Sequence, residues 1–225
     1  MKKAKFILSE VLMTAFFVTS CGSDVLNSES SLKETEAFVE VNIGSQVWMG
    51  KNLNVVKFRN GDPIPEAKTN EAWQKAGENG EPAYCYYNNT PSKGEFYGKL
   101  YNWYAVSDPR GLAPVGWRIP SDKDWTILID YLGGENTAGR TLKDSSGWHG
   151  SGNGTNESGF SFLPGGLRAS TGIFENIDKF GYLWSLTEAS SSLAWYRLMF
   201  YYNEKASRSY FLKTPGFSVR CIKKM

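Results

Sequence analysis

The stretch GLAPVGWRIPSDKDW, residues 111–125, combines a turn, a short extended segment and the start of a helix. Pro114 and Gly116 predict the turn. Trp117 and Ile119 then point the same way, as alternate residues of a brief strand do. None of these residues is a reactive group, so we interpret the stretch as architectural: it positions the backbone and buries tryptophan.

The same stretch ends at the first turn of a predicted amphipathic helix. Ser121 and Asp124 have the spacing of a capping box, with Asp in place of the commoner Glu. The acidic side chain also favours a helix N-terminus. One apolar face follows at the spacing i, i+3, i+4 and i+7, formed by Trp125, Leu128, Ile129 and Leu132. Gly133 and Gly134 predict the end of the helix.

Short strands are predicted on both sides of this helix. Residues 38–43 alternate apolar and polar side chains and are predicted to pair with a return strand at 46–49, across a turn at Gly44. A second, shorter helix is predicted over residues 69–76. The C-terminal half has the spacing of an antiparallel meander, with strands predicted at 160–163, 165–168, 180–185, 194–202, 207–211 and 216–222. Residues 144–159, DSSGWHGSGNGTNESG, predict a long surface loop.

The N-terminal residues are predicted to export and anchor the protein. Three lysines among the first five residues precede an apolar run that is too short to span a bilayer, which is typical of a signal peptide. Val18–Cys21 resembles a lipobox, so residues 1–20 are predicted to be a lipoprotein signal peptide and Cys21 the lipidation site. The alternative is a plain secretory signal followed by an incidental cysteine. Residues 21–37 are polar and predict a flexible tether, and residues 38–225 predict one folded domain.

Composition narrows the classes of function and of covalent linkage. The net charge is +2 with no basic block, so no nucleic-acid partner is predicted. Apart from Cys21, the chain has Cys85 and Cys221, and two cysteines in an exported protein favour a disulfide. Two buried free thiols are the alternative, because sequence alone supplies no Cβ separation.

The sequence contains no recognisable catalytic or metal-binding motif. His149 is the single histidine, and a solvated loop residue is its favoured interpretation. Zinc is not predicted, because there is no C-x-x-C pair and no second histidine. The candidate acid–base carboxylates are Asp122, Asp124, Glu175, Asp178 and Glu188, of which the first two are better explained by helix capping. We therefore predict neither an enzyme nor a cofactor.

Seven segments resemble, in order, those of the Fibrobacter succinogenes major paralogous domain family. They are YCYYNN (84–89), YGKLYNWYA (97–105), GLAPVGWRIPSDKDW (111–125), NESGF (156–160), LPGG (163–166), GYLWSLTE (181–188) and GFSVRC (216–221). The resemblance runs from about Val41 to Ile222 and implies an α+β, C-type-lectin-like fold. Such a fold has a twisted antiparallel sheet, two flanking helices and a long loop region. The sugar-binding lectins of this fold use calcium motifs that are missing here, so no metal is predicted.

The resemblance implies a fold more directly than it implies a function. In lectin-like folds one side presents variable loops, and exposed aromatic residues there would stack on sugars or anchor a protein. The predicted ligand-binding residues are Trp148, Asn176, Trp184, Glu188 and Tyr202. We therefore predict a surface-anchored binding or adhesion module for a glycan or protein. It would be held at the outer membrane by its lipid alone, facing the periplasm or the cell surface. The alternatives are a polysaccharide- or peptide-modifying enzyme with paired carboxylates and a structural subunit of a surface fibre.

Overall fold

Short strands and short helices alternate along residues 38–224, which are the residues described in this computed structural model. The strands are β1 (Glu40–Ile43), β2 (Gln46–Met49), β3 (Tyr84–Cys85), β4 (Leu100–Tyr101), β5 (Trp117–Arg118), β6 (Gly165–Arg168), β7 (Phe174–Ile177), β8 (Phe180–Glu188), β9 (Leu193–Phe200), β10 (Ala206–Leu212) and β11 (Ile222–Lys223). The helices are α1 (Asn70–Glu78), α2 (Pro91–Tyr97), α3 (Trp103–Val106), α4 (Asp122–Tyr131) and α5 (Ala138–Leu142). The predicted α+β class is confirmed.

The strands of the described chain form three sheets. Their orders are β10-β9-β8-β6-β7, β1-β2-β11-β5 and β3-β4. All of these neighbours are antiparallel except β6 and β8, which are parallel. The predicted meander is confirmed for β8, β9 and β10, whereas the strand predicted over residues 160–163 is wrong. Phe162 makes only an isolated bridge to Lys143, and the chain from 143 to 164 contains no helix or strand.

Helix α4 begins as its sequence predicts. Ser121 Oγ accepts a hydrogen bond from the Asp124 backbone N–H at 3.2 Å, and Asp124 Oδ2 accepts from the Ser121 N–H at 2.7 Å. The predicted apolar face packs inward, with Trp125, Leu128 and Ile129 buried and Leu132 half-buried. The capping box therefore orients a helix that covers one face of the five-stranded sheet.

The central strands β8 and β9 bury aromatic residues on both faces. On one face Tyr182, Trp184 and Tyr196 surround Phe217, whose ring centroid lies 4.2 Å from that of Trp184. On the other face Leu183 and Met199 belong to a cluster that includes Trp48 and Trp125. The central strands of this sheet are thus packed on both faces.

Three buried cations bind backbone carbonyls of the irregular segments. Arg220 donates to the carbonyl oxygens of Met49, Phe160 and Ser161 and to the Asn52 side chain. Arg168 donates to the carbonyl oxygens of Ala67, Thr69 and Gly172. Lys143 does the same for three carbonyls of the long loop and of the β9–β10 region. None of the three forms an ion pair with a carboxylate among the described residues, and burial lowers the pKa of Arg220 to about 9.

The disulfide considered from the sequence is wrong, and the alternative of two buried thiols is what the structure contains. Cys85 and Cys221 are both free and fully buried. They belong to different core clusters: Cys85 packs with Trp73 and Leu100, and Cys221 packs in the cluster of the central sheet. The two thiols lie in separate clusters, so no bridge forms.

The predicted anchoring elements lie outside the described residues. These are the signal peptide over 1–20, the lipidation site Cys21 and the tether over 21–37. The described residues belong to a compact unit that runs from Ala37 to Met225. Within residues 38–224, no helix is both long enough and apolar enough to cross a bilayer.

The buried thiols predict a specific pattern of chemical modification. Burial raises the pKa values of Cys85 and Cys221 to about 12, and the thiolate is the reactive form. In the native protein at pH 8, iodoacetamide should leave both residues unmodified, and after unfolding in guanidinium it should modify both. Peptide mapping by mass spectrometry measures this. A peptide that links residues 85 and 221 in an unreduced digest would contradict it.

The capping box predicts an acid-sensitive contribution to stability. Burial alone would raise the pKa of Asp124, but hydrogen bonds from Arg118 and Ser121 outweigh it and lower the pKa to about 2. Because the pKa is lower in the folded state, the ionised carboxylate stabilises the fold at pH values above the unfolded pKa near 4. This stabilisation is lost as the pH falls towards 2. Asp124→Asn should therefore reduce the free energy of unfolding by about 2 kcal/mol at pH 7 and by much less near pH 2.

Urea unfolding monitored by tryptophan fluorescence across this pH range measures the effect. Asp130→Asn on the same helix is the matched control, because Asp130 is exposed and makes no side-chain hydrogen bond among the described residues. If Asp124→Asn lowered the free energy of unfolding by the same amount at pH 7 and at pH 2, the ionised Asp124 carboxylate would not be the source of the stabilisation.

Candidate functional site

Two of the five predicted ligand-binding residues are core residues. Trp184 is 0% exposed, and its Nε1 donates to the Tyr101 carbonyl at 2.9 Å. Trp148 is 4% exposed, and its Nε1 donates to the Phe162 carbonyl at 3.2 Å. The prediction that these tryptophans present a ring to a ligand is wrong, because each has its faces packed and its polar atom satisfied inside the domain.

Glu188 is exposed but lies far from Asn176 and Tyr202. The β8–β9 register pairs Phe180 with Phe200 at one end and Glu188 with Ala194 at the other. A nine-residue strand separates these ends by roughly 26 Å. Glu188 forms an ion pair of 2.6 Å with Lys213. It therefore belongs to a separate end of the sheet.

Tyr202 and Asn176 lie at the opposite end of the sheet, where Tyr202 belongs to an aromatic cluster. We call this cluster the aromatic rim; it consists of His149, Phe180, Phe200, Tyr201 and Tyr202. The ring centroid of Phe200 lies 5.1 Å from those of Phe180 and Tyr202, and that of Tyr201 lies 5.3 Å from Tyr202. Tyr202 is 61% exposed, His149 is exposed, and the other three are half-buried. The rim therefore presents aromatic surface to solvent.

The long loop is fixed against the aromatic rim by backbone contacts. The His149 N–H donates to the Asp178 carbonyl at 2.7 Å, and the His149 ring meets Tyr201 edge-on at 5.1 Å. Gly152 lies so close to Tyr201 that a Cβ would overlap the Tyr201 carbonyl oxygen. The loop is thus held at the rim at His149 and Gly152, although its composition is that of a flexible segment.

Lys143 is the buried group that connects the loop to the rim. Its Nζ donates to the carbonyl oxygens of Gly152 at 2.7 Å, Asn203 at 3.0 Å and Phe200 at 3.3 Å. The same Nζ lies 5.0 Å from the centre of the Trp148 ring. Burial lowers the pKa of Lys143, and the three carbonyl dipoles and the aromatic face compensate for the lost hydration.

The end of β7 and the turn that joins it to β8 supply the polar side of the aromatic rim. Asn176 and Asp178 have φ values of 64° and 63°, a left-handed conformation that Asn and Asp adopt more readily than most residues. Asn176 Nδ2 donates to the Tyr182 hydroxyl at 3.1 Å, which orients its amide. Asp178 and Lys179 are exposed at the tip of the turn. Hydrogen-bonding groups and aromatic surface are therefore adjacent.

Three of the five acidic residues considered as acid–base groups, Asp122, Asp124 and Glu188, form ion pairs. Asp122 is paired with Arg197 at 2.7 Å and with Arg208 at 2.9 Å. Asp124 is paired with Arg118 at 2.5 Å. Among the described residues, no three His, Cys, Asp or Glu side chains cluster as metal ligands would.

Sequence reasoning missed His149 and Tyr201 as members of the rim. Both stood in segments with recognised patterns, a Gly/Ser/Asn loop and the end of a strand. Their contact arises only when the loop folds back across β9. The run of three aromatic residues at 200–202 was a signal that the sequence offered.

The sequence of residues 41–223 matches the Fibrobacter succinogenes major domain. This match covers most of the chain, and the protein therefore belongs to that family. No curated protein and no solved structure matches the chain. The family and the α+β class are thus established together.

The close approach at Gly152 predicts a steric effect on the loop. Gly152→Ala should reduce the free energy of unfolding by about 2 kcal/mol, because the added methyl forces the loop away from Tyr201. Gly150→Ala is the control: nothing lies within 4 Å of its Cβ position, so only its φ of 57° opposes the change, at about 1 kcal/mol. Urea unfolding measures the free energy of unfolding of both variants. Equal losses of stability in the two variants would argue against a tight contact between Gly152 and Tyr201.

Proposed function

We propose that this protein is a surface-anchored binding or adhesion module that recognises a glycan or a protein without catalysis. The observation that carries the proposal is the aromatic rim: exposed Tyr202, supported by Phe200 and Tyr201, beside the polar β7–β8 turn. Aromatic surface next to oriented hydrogen-bonding groups is what sugar stacking and protein hot spots both require.

The rim is suited to binding because it is rigid before a ligand arrives. Lys143 binds three carbonyls under it, and the loop packs against Tyr201. A preorganised surface loses little conformational entropy on association, so more of the contact energy appears as affinity. The polar groups Asn176 and Asp178 would give direction and specificity to ligand contacts.

The anchoring part of the proposal rests on the N-terminal sequence. Lipid attached at Cys21 would hold the folded domain at the outer membrane through the tether over residues 21–37. The domain would face the periplasm or the cell surface. We also propose that the fold is C-type-lectin-like, as the family resemblance implies; such a fold would display loops on a stable platform, which suits this role.

A screen of the purified protein against immobilised glycans and surface proteins tests the binding proposal. Tyr202→Ala should weaken binding to any ligand identified by about 10-fold or more, as expected for an aromatic anchor. Tyr131→Ala is the matched control, because Tyr131 is 66% exposed and belongs to α4, outside the rim.

The same screen includes the outcomes that oppose the proposal. If both substitutions reduce binding equally, or if neither reduces it, the aromatic rim is not the binding surface. Turnover of a polysaccharide or peptide that is lost on Asp178→Asn would instead favour an enzyme.

A further inference from the structure

Strand β10 is the edge of the five-stranded sheet, and its outer side lacks a partner strand among residues 38–224. It pairs only with β9, from Ala206 opposite Met199 to Leu212 opposite Leu193. The Ala206 N–H points away from β9, because it donates to the Glu135 carbonyl at 2.8 Å. Residues two apart on a strand share this direction, so the backbone groups of Arg208, Tyr210 and Leu212 also point outward.

Three N–H groups and three carbonyls are therefore available on this edge. No hydrogen bond to Arg208, Tyr210 or Leu212 backbone is formed from outside the sheet within the described residues. The side chains are unusually apolar for an exposed edge: Tyr210 is 52% exposed, Phe211 48% and Leu212 43%. A long, apolar, unpaired edge is the kind of surface to which another strand adds.

The edge also lacks the usual protection against strand addition. Prolines and free charges commonly prevent edge pairing, but β10 contains no proline and only one charged residue, Arg208. The Arg208 side chain packs against the sheet, with its guanidinium 3.3 Å from the centre of the Trp195 ring. Its Nε donates to both carboxylate oxygens of Asp122, at 3.1 Å to Oδ1 and 3.0 Å to Oδ2. Its charge is thus neutralised away from the edge.

We propose that β10 pairs with β10 of a second copy of this chain, antiparallel about a twofold axis at Tyr210. This register places Tyr210 opposite its counterpart and Arg208 opposite Leu212 in both directions. Every outward N–H and carbonyl of the three residues then has a partner, which gives six backbone hydrogen bonds. The two five-stranded sheets become one continuous sheet.

A second copy fits this edge because the edge is self-complementary. A twofold interface requires the same surface on both subunits, and the three outward residues are symmetric about Tyr210. The Arg208 charges do not repel across the axis, since each is paired with its own Asp122. Glu135 limits the pairing to Arg208–Leu212 by occupying the edge at Ala206. The contact is independent of the aromatic rim.

Cysteine cross-linking in the full chain tests the register. Tyr210→Cys places two thiols at the twofold axis, and mild oxidation should convert most of the protein into a covalent dimer. Tyr131→Cys, with a more exposed side chain on α4, should give little dimer. The unsubstituted chain supplies the baseline: Cys85 and Cys221 are buried, and any cross-link through Cys21 appears in this baseline as well.

Sedimentation velocity of the full chain separates backbone pairing from side-chain contact. Tyr210→Pro removes one outward N–H without removing a hydrogen bond to β9, and it should convert the dimer to a monomer of unchanged circular dichroism. Tyr210→Ala keeps the N–H and should retain a weaker dimer. Tyr202→Ala at the aromatic rim should leave the dimer unchanged whether or not the rim binds a ligand.

Three results would overturn the proposal. One is an unsubstituted chain that is monomeric at its highest soluble concentration. Another is a monomer whose Arg208, Tyr210 and Leu212 amides resist hydrogen exchange, which would mean that another segment of the same chain covers the edge. The third is a Tyr210→Cys chain that cross-links to a different protein in place of a second copy.

Discussion

Buried cations that bind carbonyl oxygens hold this domain together. Arg220, Arg168 and Lys143 each replace the water around a charge with several carbonyl dipoles and an aromatic face. Hydrogen bonds to charged groups are stronger than those between neutral ones, and burying a cation without them would be strongly destabilising. Each cation therefore fixes the position at which two or three irregular segments meet. The short strands alone would not fix these positions.

This arrangement explains how a chain with so much loop can present a defined surface. The loop over residues 144–159 has a Gly/Ser/Asn composition that is typical of flexible segments. In the structure this loop is held by the hydrogen bond from Lys143 to the Gly152 carbonyl and by the packing of Gly152 against Tyr201. The aromatic rim therefore rests on a loop that is ordered by these contacts.

Local patterns predicted the elements that depend on neighbouring residues. The strand at Gln46–Met49, the capping box at Ser121 and the apolar face of α4 are confirmed because each is decided within one or two turns of chain. The strand predicted at 160–163 fails for the opposite reason. Phe160 and Phe162 are apolar because both enter a core cluster, and Arg220 binds the carbonyl of Phe160, so a strand-like pattern marks buried irregular chain.

The sequence by itself determined the family, the α+β class and the positions of caps and turns, because these depend on residue order and short-range hydrogen bonds. Tertiary structure alone decided which aromatic residues are buried and which are exposed. Trp184 and Tyr202 occupy similar patterns, yet one stacks on Phe217, which is distant in sequence, and the other lies past the end of β9. Tertiary structure likewise decided that the two cysteines are unpaired and that the outer side of β10 is open. Both depend on which segments of the chain pack or pair next to them.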